Sequence, residues 1–130
     1  DDLNGSIGTV PGTDSPGATK FNEIAKANNF KAGPYTKESY DSAALIMLAM
    51  QAANSTNSND FKSKVMDVAN APGEKIFPGE LAKGLKLLSE GKEIDYVGAS
   101  AVELIGGGES AGNFAEILID NQKVTTVGYK

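Results

Sequence analysis

The fold of this chain depends most on residues 40–50, which read Tyr-Asp-Ser-Ala-Ala-Leu-Ile-Met-Leu-Ala-Met. They contain no Gly or Pro and are rich in good helix formers, so they predict a helix over residues 37–53. From residue 43 to residue 50 this helix is apolar on every side, and such helices are normally buried on more than one face. Burial of each large apolar side chain contributes roughly 1.5–3 kcal/mol, so whatever covers this helix stabilises the fold.

Two further helices are predicted on either side of it. Ser15 supplies a capping hydroxyl and Pro16 follows at the first position of a helix over residues 16–28. Ser58 precedes a second amphipathic pattern, which predicts a helix over residues 60–69.

The remaining patterns predict one more helix and a few short strands. The helix covers residues 80–89 and ends before Gly91, which suits a left-handed cap. Short strands are predicted at 6–10 and 100–105, and a hairpin at 113–119 and 123–129. Because so few strands are available to cover the apolar helix, we expect it to pack against sequence outside these 130 residues.

The composition of the chain excludes several classes of function. The formal net charge is −5 and all 12 basic residues are Lys, which argues against binding to nucleic acids and to anionic membrane surfaces. The chain has no Cys and no His. It therefore lacks thiol nucleophiles, disulfides, Ser–His pairs and the ligands of most zinc and iron sites. We expect no catalytic residues, no metal site and no cofactor.

The hydropathy and the first residues of the chain predict neither a membrane span nor a signal peptide. The longest apolar run, residues 43–50, is far shorter than the roughly 20 residues of a membrane span. The first residues, Asp1-Asp2-Leu3, do not resemble a signal peptide. We expect either a mature chain or one whose start has been lost.

Three motifs have the spacing of a phosphate-binding or catalytic site, but their context favours a structural or surface role. The Gly-rich residues 106–112 are followed by a strand and not by a helix, so they favour a turn or hinge over a phosphate-binding loop. Ser89 and Lys92 have the spacing of a nucleophile and its base, but Gly91 ends the helix between them. Glu103 and Glu109 are interpreted as solvated surface charges.

Tyr35 is the one candidate for a binding residue. It follows Gly33-Pro34 in a loop before the apolar helix. An aromatic residue in such a loop faces a cleft as readily as it packs on its own domain, and the residues alone leave both roles open.

Several segments resemble branched-chain-amino-acid-type solute-binding proteins of ABC transporters. Residues 3–9, Leu-Asn-Gly-Ser-Ile-Gly-Thr, look like the "L-x-G-x-x-G" strand that crosses between the lobes of that family. Residues 40–45, Tyr-Asp-Ser-Ala-Ala-Leu, resemble its "Y-D-A-x-x-L" helix, and residues 70–74 and 77–83 look like segments of one branch. Residues 102–108 depart from the "F-D-x-x-G-D" that often precedes the last crossing, so no role of the acidic residue of that loop is carried over to this chain.

The resemblance implies an architecture of two α/β lobes, three crossovers and a ligand cleft between the lobes. The predicted fold class is α/β, type I periplasmic-binding-protein-like and partial, with the helical part of one lobe and the closing β-hairpin of the other. Residues 1–12 would form a hinge crossing strand, residues 13–105 the second, helical segment of the N-lobe, and residues 106–130 a hinge crossing and the closing strands of the C-lobe.

The resemblance also implies a function. The chain would be part of a periplasmic receptor, not an enzyme, that delivers an amino acid or a related small carboxylate to the membrane permease of an ABC importer. Tyr35 is the residue expected to touch the ligand. The remainder of the receptor chain, or a homo-oligomer, would cover the apolar helix. The alternative is a free-standing small α/β interaction domain that homodimerises through that helix.

Overall fold

The computed structural model describes residues 3–130 and shows a mixed α/β architecture. Asp1 and Asp2, the start of the predicted segment 1–12, lie outside the described residues. The helices are α1 (Pro16–Ala27), α2 (Thr36–Ala53), α3 (Ser58–Phe61), α4 (Lys64–Ala69) and α5 (Leu81–Ser89).

The strands form three separate pairings. The three-stranded sheet is antiparallel, in the order β1 (Ile7–Pro11), β6 (Phe114–Asp120) and β7 (Lys123–Tyr129). The parallel pair consists of β2 (Glu74–Ile76) and β3 (Ile94–Tyr96). Two short strands, β4 (Leu104–Ile105) and β5 (Glu109–Ser110), form a small hairpin around a turn at Gly106–Gly108, in which Gly107 and Gly108 have positive φ.

The helices with strong local signals begin and end close to their predicted limits. The hydroxyl of Ser15 accepts a hydrogen bond from the backbone N–H of Ala18 at 3.2 Å, and Pro16 opens α1 as predicted. Gly91, with φ +73°, follows α5 in the left-handed conformation. The hairpin of β6 and β7 is also confirmed.

Two predicted elements differ from the structure. The single helix predicted over residues 60–69 is divided into α3 and α4, and the side chain of Asn57, not that of Ser58, caps α3. The strand predicted over residues 100–105 is reduced to β4, because the backbone before it turns to bond with a side chain of α2.

The parallel pair is the element that the sequence analysis missed, and it supplies part of the cover for α2. Leu48 of α2 and Ile76 of β2 are both fully buried, and they share one core cluster with Ile94 and Tyr96 of β3. The segment predicted as helical is therefore mixed α/β. The expectation that this chain cannot cover α2 was wrong for the face carrying Leu48.

The opposite face of α2 keeps its apolar side chains in contact with solvent. Ile46 and Met47 are each 44% exposed. The prediction of an uncovered apolar surface therefore holds for this face alone.

The three-stranded sheet contributes no residue to the two buried clusters, although Ala115 of β6 is itself buried. Both buried clusters are formed by residues between 21 and 104, and the sheet shares no strand with the parallel pair. In the N-terminal segment, β1 pairs with β6 along its whole length. The lobe boundaries given by the resemblance stay predictions.

Two neighbouring stretches of chain connect the sheet to the helical core. The first crossing, residues 12–15, runs from the end of β1 to the start of α1, and the second crossing, residues 111–113, leads from β5 to β6. They lie side by side, since the backbone N–H of Gly12 donates to the carbonyl oxygen of Asn113 at 3.0 Å.

Candidate functional site

The carboxyl ends of β2 and β3 form the candidate site, which we call the carboxyl edge. The loops that follow these strands, residues 77–80 and 97–101, lie there together with the first turns of α1 and α2. Ligands of open α/β sheets bind outside the carboxyl ends of the strands, where backbone turns and helix N-termini meet. The carboxyl edge is therefore the place where this chain would contribute to a cleft.

Asp41 of α2 organises the carboxyl edge. Its carboxylate is 2% exposed and accepts four hydrogen bonds. The donors are the hydroxyl of Tyr96 at 2.8 Å, the backbone N–H of Ala99 at 2.8 Å, and both the backbone N–H and the hydroxyl of Ser100 at 2.7 and 2.6 Å. A buried carboxylate is tolerated when its acceptor positions are filled in this way. Asp41 thereby joins the start of α2 to the loop after β3.

Tyr96 remains a proton donor to Asp41. Burial of its hydroxyl, and then the negative charge of Asp41, raise the pKa of Tyr96 far above its ordinary value. The hydroxyl therefore keeps its proton throughout the physiological pH range and acts as a hydrogen-bond donor to Asp41 there.

Two glycines allow the loop after β3 to lie between α1 and α2. A Cβ atom on Gly17 of α1 would overlap the carbonyl oxygen of Gly98. Gly98 has φ +63°, and a Cβ atom there would lie 2.5 Å from Oδ1 of Asp41. The three residues are stacked in contact, so the spacing of α1, the loop and α2 depends on the absence of these side chains.

The loop after β2 is fastened by an ion pair with α1. Glu80 accepts the backbone N–H of Phe77 at 3.0 Å and pairs with Nζ of Lys20 at 3.4 Å. The same ammonium group lies 4.5 Å from the centre of the Phe77 ring, within the range of a cation–π interaction. Lys20 and Glu80 therefore hold this loop against α1.

Tyr40 holds the same loop against α2. Its ring meets Phe21 of α1 edge to face, with centroids 5.3 Å apart, and its hydroxyl accepts the backbone N–H of Gly79 at 3.2 Å. Tyr40 therefore packs within its own domain and links α1, α2 and the loop after β2.

Acid is expected to weaken the folded state through Glu80. The hydrogen bond from Phe77 N–H, and then Lys20, lower the pKa of Glu80 below its ordinary 4.5. A carboxylate with a lowered folded pKa contributes stability that is present above the unfolded pKa and is lost as the pH falls through the folded pKa. Glu80→Gln should lower the urea midpoint at pH 7 and reduce its decline below about pH 4.5. The matched control is Glu23→Gln on the exposed face of α1; equal acid profiles for both variants would contradict this role.

Tyr35 lies beyond the carboxyl edge, directly before α2. Its φ is +61°, and the residue is 61% exposed. Tyr35 and Asp41 are six positions apart, or about 9 Å along a helix at 1.5 Å per residue. The hydroxyl of Thr36 accepts the N–H of Gly33 at 2.9 Å and donates to its carbonyl at 2.8 Å, which fixes the turn that carries Tyr35. Tyr35 is thus exposed to solvent directly before α2, and its contact with a ligand stays a prediction.

The other motifs singled out in the sequence are not brought together. Ser89 donates to a backbone carbonyl at the end of α5, and Lys92 pairs with Glu90 at 2.7 Å. Glu103 and Glu109 are both exposed. Within residues 3–130, no group of three or more acidic residues is arranged to hold a metal ion. None of the helices described there is both long and apolar enough to span a membrane.

Asp41 is the structural residue that the sequence analysis did not identify. It was noted only as the second letter of the "Y-D-A"-like motif. Its partners lie 55 to 59 residues away in the sequence, so no local pattern predicts them. One feature of the sequence could have indicated this role: Asp41 lies on the buried side of an apolar helix, where a charge without hydrogen-bond partners would be destabilising.

Comparison with known proteins supports the resemblance noted in the sequence. No family model matches the chain. The chemotactic signal transduction system substrate-binding protein BasB of Halobacterium salinarum is 27% identical over 97 residues, covering 75% of this chain and 24% of BasB. The crystal structure of a leucine-binding protein, LivK, from Thermotoga maritima matches 99% of this chain with a TM-score of 0.67 and 16% identity.

The chain is much shorter than these relatives, since it spans 31% of the LivK chain. The resemblance to branched-chain-amino-acid-type solute-binding proteins is confirmed: this chain is similar to them and has the mixed α/β fold of about a third of a type I periplasmic-binding protein.

Proposed function

We propose that this chain is part of an extracytoplasmic receptor that binds an amino acid or a related small carboxylate and delivers it to the membrane permease of an ABC importer. The observation that carries the proposal is the likeness in fold to the leucine-binding protein over 99% of the chain. The 27% identity to a substrate-binding protein supports it independently. The chain acts as a receptor and not as an enzyme, which accords with its lack of His and Cys.

Binding proceeds by closure of two lobes around the ligand. The two adjacent crossings, residues 12–15 and 111–113, are short connections that bend together because they lie side by side. A ligand that contacts both lobes has a higher affinity for the closed state and shifts the population toward it. The carboxyl edge then forms one wall of the cleft.

The remainder of the receptor chain covers the apolar surfaces that this part leaves open. Ile46 and Met47 of α2 are one such surface. The three-stranded sheet is another, with Ile7, Val124 and Val127 exposed by 84%, 66% and 58%. Large exposed apolar patches are uncommon on soluble monomers. The alternative, homodimerisation through α2, would leave the sheet uncovered, so the exposed sheet favours the receptor.

Tyr35 is proposed to pack against the ligand. In the complete receptor, Tyr35→Ala should weaken ligand binding by about 1–3 kcal/mol, the scale of one lost aromatic contact. Tyr35→Phe keeps the ring and should retain most of the affinity. Isothermal titration calorimetry of both variants measures the difference. Unchanged affinity of a folded Tyr35→Ala receptor would show that the ring has no contact with the ligand.

The receptor function is tested by titrating the complete protein and the isolated 130-residue chain with leucine and related amino acids. The complete protein should bind one of them saturably at one site. The isolated chain should show no measurable affinity, since one wall of a cleft neither excludes water nor closes. Tight binding by the isolated chain would contradict the proposal.

A further inference from the structure

Asn70 makes a paired contact with a distant backbone segment. Its side-chain oxygen accepts the backbone N–H of Leu104 at 2.9 Å, and its side-chain nitrogen donates to the carbonyl oxygen of Leu104 at 2.8 Å. The amide side chain of Asn70 thus binds both the backbone N–H and the backbone carbonyl of Leu104, as a neighbouring β-strand would. The two residues are separated by 34 positions, so the contact joins distant parts of the chain.

The amide of Asn70 is rigidly attached to the helical core. Asn70 directly follows α4, whose last two residues, Val68 and Ala69, are 2% and 1% exposed. Leu104 in turn packs at the margin of the same buried cluster. The backbone of Leu104 is therefore fixed to the core by the side chain of Asn70 and by the packing of Leu104 itself.

The hairpin of β4 and β5 links Leu104 to the second crossing, residues 111–113. Leu104 pairs with Ser110, and the backbone N–H of Ala111 donates to the carbonyl oxygen of Glu103 at 2.8 Å. The residues at its tip, Gly106–Gly108, are exposed and have no neighbours near their missing side chains. Among the described residues, the two hydrogen bonds between Asn70 and Leu104 are the side-chain hydrogen bonds that tie residues 103–111 to the core.

We propose that Asn70 is a positioning residue that fixes the hairpin of residues 103–111 to the helical core, so that bending between the core and the three-stranded sheet is confined to residues 12–15 and 111–113. This inference deepens the proposed receptor function by naming the residue that sets where the hinge begins. The inference concerns motion without ligand, so its test does not require ligand binding.

Hydrogen exchange measures the tie itself. In the full-length protein, Asn70→Ala should make the amides of Leu104 and Ala111 exchange about tenfold faster, which corresponds to about 1.4 kcal/mol of local opening. The amide of Val97, which bonds to Ile76 in the core, should not change. Asn70→Asp keeps one acceptor oxygen and should give a smaller increase. Asn22→Ala, on the exposed side of α1, is the matched control and should leave all three rates unchanged.

Spin-label distances test the consequence for the hinge. Labels at Ala82→Cys on α5 and Lys123→Cys on β7 report the spread of distances between the core and the sheet; this chain has no other Cys. The distance distribution should broaden in Asn70→Ala, less in Asn70→Asp, and not in Asn22→Ala. Two results would overturn the positioning role: amide exchange at Leu104 that is not faster in Asn70→Ala, or faster exchange there with an unchanged distribution of spin-label distances. Should Asn70→Ala fail to fold, Asn70→Asp alone decides by the same criteria. A failure of ligand binding would contradict the receptor function but leave this result intact.

Discussion

Replacing Asp41 by Ala is expected to lower the free energy of unfolding by about 3–5 kcal/mol. The change leaves the hydroxyl of Tyr96 and the backbone N–H groups of Ala99 and Ser100 without their acceptor. Each buried donor that loses its partner costs about 1–3 kcal/mol. Loss of the Asp41 carboxylate also removes the hydrogen bonds that hold the loop after β3, against which α1 packs at Gly17. Urea unfolding followed by circular dichroism measures the effect.

Two variants test whether the loss of stability comes from the hydrogen bonds of Asp41 or only from the removal of a negative charge. Asp67→Ala removes an exposed carboxylate that pairs with Lys64 at 3.0 Å, and it should cost less than about 1 kcal/mol. Tyr96→Phe removes one of the donors to Asp41 and leaves the others, so its cost should be about 1 kcal/mol. An Asp41→Ala variant as stable as Asp67→Ala would show that the network does not hold the edge together.

Gly17→Ala is expected to destabilise the protein by about 3 kcal/mol, the upper end of the usual cost of overpacking. The new methyl group would overlap the backbone carbonyl of Gly98, and backbone atoms in a buried turn cannot move aside as a flexible side chain does. The sign is informative, because Gly→Ala within a helix otherwise stabilises by about 1 kcal/mol. Thermal unfolding should show a lower midpoint.

Gly33→Ala is the matched control for this substitution. Its Cβ atom would find its nearest neighbour, the hydroxyl of Thr36, at 3.9 Å, which is an ordinary contact. Its midpoint should stay close to that of the unmodified protein. A Gly17→Ala variant that is as stable as Gly33→Ala would mean that α1 does not approach the loop as closely as described.

The elements that could be predicted from the sequence are those with strong local signals. Ser15 and Pro16 fixed the start of α1, and the hairpin of β6 and β7 has a turn between two apolar stretches. The parallel pair was missed because β2 and β3 have only three residues each and pair across a helix. A pattern of period two cannot be recognised over three residues.

The candidate site was predicted less completely than the fold. Tyr35 could be proposed because an aromatic residue in a loop is recognisable in the sequence. The structural role of Asp41 depends on hydrogen bonds to Tyr96 and Ala99, which only the folded chain brings close to α2. Asn70 was missed for the same reason, since an Asn after a helix is ordinary and its partner lies 34 residues away. Residues whose role depends on distant backbone groups need the tertiary structure to be found.

Native mass spectrometry of the protein isolated from its source tests the central claim most directly. The receptor proposal predicts one covalent chain of roughly three times the mass of these 130 residues, because this chain spans 31% of its structural relative. It also predicts an added mass in the range of one amino acid or small carboxylate, which is lost on collisional activation. A covalent chain of only 130 residues that forms a homodimer without a bound small molecule would contradict it.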